Sequence, residues 1–216
     1  RRFEAYFNAV ADGKTREELK ALRAELKLDR EVTNMRTAVT GARDGAERVR
    51  DIVEDLRRLS ADGQGEMTAF DLATTTKVAM SWVMRGAKRE VEVITEGPEQ
   101  LRAYGRPGHI QQVVMNLFQN AIDAVEGTPA PQIRVTLGEE DGMAWVRVSD
   151  NGPGVPEAIA ASVFDPFFTT KDVGKGTGLG LSISHKIAEE HGGSLTLCEA
   201  AAGACFRLDL PLEGAP

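Results

Sequence analysis

Eight apolar residues between Val32 and Leu56 recur at spacings of 3, 4, 3, 4, 3, 4 and 3: Val32, Met35, Val39, Ala42, Ala46, Val49, Val53 and Leu56. Alternation of threes and fours keeps one seam on one side of a helix, which is the heptad pattern of coiled coils and helical bundles. Upstream, Phe3, Tyr6, Phe7 and Val10 follow helical spacing until Asp12-Gly13 breaks the run. Thr15 with Glu18 three residues on has the form of a capping box, so a new helix is expected to start there, with Leu19, Leu22 and Leu26 on its apolar stripe. Residues 1–60 contain no proline and read as helix throughout. The heptad seam could be covered within one chain or by a second copy. No other helix of comparable length is available in cis, so a helical hairpin that dimerises is expected.

Asp62-Gly63-Gln64-Gly65 marks a linker, and the pattern then changes. Helical periodicity returns at about 71–87, and Val91–Thr95 and Leu101–Tyr104 suggest short strands. Residues 107–126 form an amphipathic helix with Ile110, Val113, Val114, Leu117, Ala121, Ile122 and Val125 on one face. Ile133–Leu137 and Ala144–Val148 alternate as strands joined by a Gly-containing turn. A Gly/Pro-rich irregular stretch, a helix at about 178–190 and a hairpin of Ser194–Leu197 with Cys205–Leu210 complete the chain. This order predicts an α+β fold: a two-layer sandwich with a mixed, mostly antiparallel sheet over residues 66–216, behind a helical domain at 1–60.

Composition narrows the function classes. The net charge is −7, and it is divided unevenly, residues 1–60 being slightly basic and the remainder strongly acidic. A basic footprint for DNA or RNA is missing, so no nucleic-acid partner is expected. An acidic domain can still hold a polyanion through a metal ion or a local nest of amides and cations. No stretch approaches the ~18 apolar residues of a membrane span, and no charged-then-apolar leader opens the chain. No membrane contact is expected of these residues. Cys198 and Cys205 are too few for a disulfide framework and are compatible with a reducing cytosol. With three scattered histidines they form no cluster of zinc-ligand spacing, and no structural zinc site is expected.

Four segments carry candidate chemistry. Asn116 and Asn120 lie four apart on one face of the 107–126 helix, with Gln119 beside them. Amides are poor helix formers, so the pair reads either as caps for neighbouring loops or as a polar ligand wall. A carboxamide oxygen is a suitable hard ligand for Mg²⁺. Ser149-Asp150-Asn151-Gly152-Pro153-Gly154 follows a strand; its glycines allow a tight turn and close approach to a flat ligand, and Asp150 can accept from an exocyclic amine such as adenine N6. Phe164, Phe167 and Phe168 flank Pro166 in a loop-like segment ending at Lys171, either anchoring the loop or forming a lid. Lys171 is then a candidate phosphate contact. Glycines 174, 176, 178 and 180 match neither the dinucleotide fingerprint nor Walker A. They feed a helix start, where free amides and the helix dipole can hold phosphate.

Asn116-Leu-Phe-Gln-Asn120-Ala-Ile-Asp-Ala, Asp150-Asn-Gly-Pro-Gly154, Phe164-Asp-Pro-Phe-Phe-Thr-Thr-Lys171 and Gly174-Lys-Gly-Thr-Gly-Leu-Gly-Leu-Ser182 resemble the N, G1, F and G2 boxes of bacterial sensor histidine kinases, in the family's order. The likeness covers about residues 66–212, and residues 15–60 look like the second helix of the dimerisation and phosphotransfer domain. The resemblance implies ATP and Mg²⁺ as cofactors. It implies that Asn120 ligands the metal, with Asn116 supporting the phosphate side, and that Asp150 reads the adenine amine, with Gly152 and Gly154 letting the base approach. Phe164, Phe167 and Phe168 would belong to the lid. Lys171 and the G2 residues Lys175, Gly176, Thr177, Gly178, Leu179 and Gly180 would line the nucleotide, the glycines giving amides to phosphate.

It further implies a cytoplasmic kinase that passes the γ-phosphoryl to a histidine, for relay to an aspartate of a response-regulator receiver domain. That histidine is the departure. The chain has only His109, His185 and His191, none within 1–60. Surface or structural roles are expected for all three, and the phosphoacceptor is expected upstream of Arg1. A fragment of this kind should bind nucleotide without phosphorylating itself. Two other outputs stay open, an ATPase-driven machine related to Hsp90, MutL or gyrase, and a non-catalytic dimerising scaffold.

Overall fold

A computed structural model describes residues 1–60, 66–86, 90–171 and 176–212. For Arg48, Asp51, Ile52 and residues 54–60 it describes the backbone alone. The chain divides into two compact units, residues 1–53 and 54–216. The expected linker at 62–65 lies outside the described residues.

The first unit is helical, as its periodicity requires. α1 (Arg2–Ala11) ends at the Asp12-Gly13 break. α2 (Arg16–Glu25) starts on the capping box: Glu18 N–H donates to Thr15 Oγ1 at 3.3 Å, and Thr15 N–H donates to Glu18 Oε2 at 2.8 Å. The expected single helix from 15 to 60 is instead two. Lys27 takes left-handed backbone (φ 51°), which ends α2, and α3 (Leu28–Ser60) begins directly after it. Along α3 the heptad residues Met35, Val39, Val49 and Val53 are all more than half exposed within the single chain.

The second unit is a two-layer α/β sandwich. β1 (Thr68–Asp71) pairs antiparallel with β3 (Arg102–Gly105), and α4 (Leu72–Gly86) lies between them in sequence. β2 (Glu92–Glu96), β4 (Gln132–Glu140), β5 (Met143–Asp150), β6 (Ser194–Leu197) and β7 (Cys205–Pro211) form a five-stranded sheet in the order β2-β4-β5-β7-β6. Only β2 with β4 is parallel; the other pairings are antiparallel, giving the mixed sheet expected. The β4–β5 hairpin closes on Asp141-Gly142, both in left-handed backbone as a tight two-residue loop demands.

Period two sorts the strand residues. Ile133, Val135, Ala144, Val146, Val148, Leu208 and Leu210 point to the buried face. α5 (Pro107–Ala124) packs its stripe of Ile110, Val113, Val114, Leu117 and Phe118 into the same core, all at most 1% exposed. α7 (Gly180–Glu190) contributes Ile183 and Ile187. On the opposite face the guanidinium groups of Arg147 and Arg207 lie 4.9 and 5.2 Å from the centre of the Trp145 ring. β1 and the one-turn helix α6 (Glu157–Ala160) were not anticipated from the sequence.

Two further findings refine the sequence reading. Cys198 and Cys205, compatible by sequence with free thiols in a reducing cytosol, form a disulfide. The β6–β7 register brings their Cα atoms to 5.2 Å. His191 is 2% exposed and structural, accepting from Arg106 N–H at Nε2 (3.0 Å), while its Nδ1 faces the Ile187 carbonyl at 2.7 Å.

Candidate functional site

A cavity of about 810 Å³ opens between α5, the end of β5, the Phe-rich segment and the start of α7. That volume suits a ligand the size of a nucleotide. Ten of the fourteen candidate residues line it: Asn116, Asn120, Asp150, Gly154, Phe168, Lys171, Gly176, Thr177, Gly178 and Gly180. Three described candidates do not. Leu179 turns its side chain into the core at 3% exposure, Phe167 points to solvent at 64%, and Gly152 lies behind the wall. Lys175 lies outside the described residues.

One end of the cavity is built around Asp150. The register places it at the last position of β5, opposite Ile133, where the sheet opens onto the cavity. The carboxylate is 8% exposed and accepts at Oδ1 from Gly152 N–H (2.9 Å) and Ala204 N–H (3.3 Å). Among the described residues these amide bonds fall on one oxygen, leaving Oδ2 for a ligand. Burial lifts the Asp150 pKa above its ordinary value, and the two amides oppose the shift. Backbone surrounds the group closely. A Cβ on Gly152 would lie 2.6 Å from the Ala124 carbonyl oxygen, and one on Gly203 only 2.0 Å from that of Asp150. Gly152 therefore buttresses the acid rather than lining the site.

The other end is polar and partly open. Successive turns of α5 present Asn116 and Asn120 on one face, as their spacing of four predicts. Asn116 donates to Ser184 Oγ on α7 at 3.0 Å, and a Cβ on Gly180 would strike Asn116 Oδ1 at 2.3 Å. Glycine at 180 thus lets the start of α7 close against α5. Among the described residues Thr177 Oγ1 accepts from the Leu179 N–H at 3.3 Å and no side chain caps the amides that follow, which lie at the cavity end. Gly178, in left-handed backbone (φ 70°), passes so close to Phe167 that a Cβ would lie 2.5 Å from the Phe167 carbonyl carbon. The two arms of the loop therefore meet at their base. Phe164 is anchored by rings, 5.0 Å from His185 and 6.2 Å from Phe206.

The Lys171 ammonium sits inside this end. It donates to Asp123 Oδ2 at 2.5 Å and to Asn120 Oδ1 at 3.3 Å. A cation already rests on the carboxamide oxygen expected to bind metal, with a carboxylate beside it. The donor set, two hard oxygens next to a helix start that favours anions, fits Mg²⁺ with a polyphosphate. Asp123 and the Gly203-Ala204 brace were not singled out from the sequence. Asp123 was findable, since it lies three residues beyond Asn120 on the same helical face. Nothing local marks Ala204, whose amide matters only because β7 pairs with β5.

A profile of the histidine kinase-, DNA gyrase B- and HSP90-like ATPases matches residues 105–214. The chain is 37% identical over 172 residues to the two-component sensor PprA of Pseudomonas aeruginosa, covering 76% of this chain and 19% of that protein. It is 37% identical over 171 residues to the sensor protein FixL of Bradyrhizobium diazoefficiens, covering 74% and 32%. It thus spans about a fifth to a third of the length of these relatives. The catalytic domain of the histidine kinase ThkA superposes with a TM-score of 0.62 at 33% identity, over 68% of this chain and 96% of that one. Full-length ShkA, solved with AMPPNP, shares the fold at TM-score 0.65 and 21% identity, over 93% of this chain and 39% of that one. The boxes, the sandwich and these likenesses agree, and the chain belongs to the histidine kinase-, DNA gyrase B- and HSP90-like ATPase family, among its sensor histidine kinases.

Proposed function

We propose that this chain is the ATP-binding catalytic core of a sensor histidine kinase. It binds ATP with Mg²⁺ and presents the γ-phosphoryl to a histidine supplied outside residues 1–216, for relay to an aspartate of a response-regulator receiver domain. The observation that carries the reading is the convergence of Asp150, Asn120 and the uncapped start of α7 on one cavity. Asp150 accepts the adenine amine at its unengaged oxygen, and Gly154 lets the base approach. Asn120 holds the metal, with Asn116 fixing α7 against α5 so that the amides of Gly178 and Gly180 reach phosphate. Phe168 and Thr177 line the walls. Leu179 and Phe167 act through the backbone they shape, one at the helix start and the other at the base of the loop. Bound Mg²⁺ would neutralise phosphate charge and orient the γ-phosphoryl. The protein's own share is positioning, since this transfer asks for little covalent chemistry from the nucleotide-binding domain.

Residues 1–60 pair with those of a second copy, which covers the heptad residues Met35, Val39, Val49 and Val53 that one chain leaves exposed. The core works in the cytoplasm, where ATP is supplied and where the Cys198–Cys205 bridge would be exposed to reduction.

Calorimetry with ADP and Mg²⁺ tests the binding half, and no heat at millimolar nucleotide would leave only a scaffold. Asn120→Ala should lower Mg²⁺-dependent affinity at least tenfold with the fold unchanged by circular dichroism, because it removes a ligand and no core volume. Labelled ATP tests the transfer half. Label should pass to a phosphoacceptor helix supplied in trans and not to residues 1–216; release as free phosphate alone would indicate an ATPase instead.

A further inference from the structure

The ion pair of Lys171 with Asp123 has no part in the reading above, and its position is unexpected. A carboxylate beside a polyphosphate repels it, so Asp123 would weaken ATP binding if it stood alone. It does not stand alone: its Oδ1 accepts from Gln119 Nε2 at 2.7 Å, and its Oδ2 holds the Lys171 ammonium at 2.5 Å. The same ammonium rests on Asn120 Oδ1. Two cations cannot share that oxygen without strong mutual repulsion, so a metal can reach Asn120 only when Lys171 leaves it.

Lys171 is placed to leave. Its side chain and that of Asp123 are each about a third exposed, 34% and 33%, so the pair is weak and salt-screened. Its stem lies along the glycine segment, where a Cβ on Gly176 would come within 3.3 Å of Lys171 Cδ. Lys171 N–H donates to Thr169 Oγ1 at 3.2 Å, which pins the backbone and leaves the four-carbon stem to swing. The ammonium therefore has two partners, Asp123 and Asn120, both on α5, and hangs on a flexible stem at the wall of the cavity.

We propose that Asp123 and Lys171 form a counterion latch that makes nucleotide binding depend on the divalent cation. Without ligand, Lys171 neutralises Asp123 and covers Asn120. When a metal-bound nucleoside polyphosphate enters, the metal replaces the ammonium at Asn120 and compensates Asp123, and Lys171 moves to the phosphate oxygens. A metal-free nucleotide gains Lys171 only by leaving Asp123 uncompensated beside its own charge, and so binds poorly. The latch rests on the nucleotide reading and adds to it a named pair that selects the metal-bound form.

The test measures affinities by calorimetry for ADP with EDTA, ADP with Mg²⁺, and adenosine, on the parent and on Asp123→Asn, Lys171→Met and Lys171→Arg. Asp123→Asn should bind metal-free ADP about tenfold more tightly than the parent, so the ratio of metal-bound to metal-free affinity shrinks. Lys171→Met should lose about tenfold for Mg·ADP with adenosine unchanged, and Lys171→Arg should restore the parent pattern. Unchanged adenosine affinity also certifies that each variant is folded. If Asp123→Asn keeps the parent's ratio of metal-free to metal-bound affinity, or Lys171→Met binds Mg·ADP as the parent does, the latch is overturned. If the parent itself binds neither ADP nor adenosine, the nucleotide reading fails first.

Discussion

The two ends of the cavity are built on opposite principles. At the Asp150 end the acid is nearly buried, two backbone amides hold one oxygen, and Gly152 and Gly203 bring main chain too close for any side chain. At the Lys171 end the charged groups are a third exposed and are held mainly by each other. A flat, neutral base needs a rigid slot with one polar group at fixed depth, because a hydrogen bond is lost if its partner drifts. A flexible polyphosphate that arrives with a metal needs charges that can exchange partners. Rigidity at one end and replaceable ion pairs at the other suit one ligand with two chemically different halves.

The largest expected effect comes from breaking the rigid end. Asp150→Ala removes the acceptor proposed for an exocyclic amine and takes away the partner of two amides. Adenine-nucleotide affinity should fall about 100-fold, or roughly 3 kcal/mol, and preference over guanine nucleotides should vanish. A variant that still discriminates as the parent does would dissolve the contrast between the two ends. Reduction of the Cys198–Cys205 bridge should come next. The bridge closes a hairpin of sequence separation 7, and Cys205 adjoins the amide that braces Asp150. A dithiol reductant should lower unfolding stability by roughly 2 kcal/mol in urea melts. It should weaken adenosine more than it weakens inorganic pyrophosphate, because the hairpin tip braces Asp150 through the Ala204 amide.

The smallest effect sharpens the comparison by pH. Burial holds the Asp150 pKa above 3.8 in the folded protein, so the native state binds a proton more readily than the unfolded chain does. Its contribution to stability is therefore favourable at low pH and declines as pH rises from 3.8 through the native value. At neutral pH the buried carboxylate is a net cost to stability. Under the proposed nucleotide reading binding runs the other way, since a proton on Oδ2, the oxygen the two amides leave, turns it from an acceptor into a donor. Adenosine affinity should fall up to about tenfold per pH unit below the native pKa, and the Asp150→Ala profile should be flat. A parent profile as flat as the variant's would remove the charged acceptor from the account.

Much of this was legible in the chain. The periods of 3.6 and 2 located α4, α5, α7 and five of the seven strands to within about two residues, and the glycine and asparagine boxes pointed to the wall of one cavity. What escaped depended on partners far away. β1 is four residues with no alternation of note, and stands because Arg102–Gly105 pairs with it. The break between α2 and α3 turns on one lysine adopting left-handed backbone, to which composition gives no clue. Asp123 looked like one more helical acid until Lys171 arrived from a segment 48 residues on.

Local pattern determined which elements form and which residue types face solvent, because helix and strand periods act over a few neighbours. It also determined the chemistry on offer: amides four apart on a helix, an acid at a strand end, glycines before a helix start. Only the tertiary structure decided what those groups do to one another. The buried state of Asp150, the closure of Gly180 on Asn116 and the seat of Lys171 on Asn120 all arise where strands and loops distant in sequence meet. A pKa, a close backbone approach or an ion pair is a property of that meeting, and no single stretch of chain contains it.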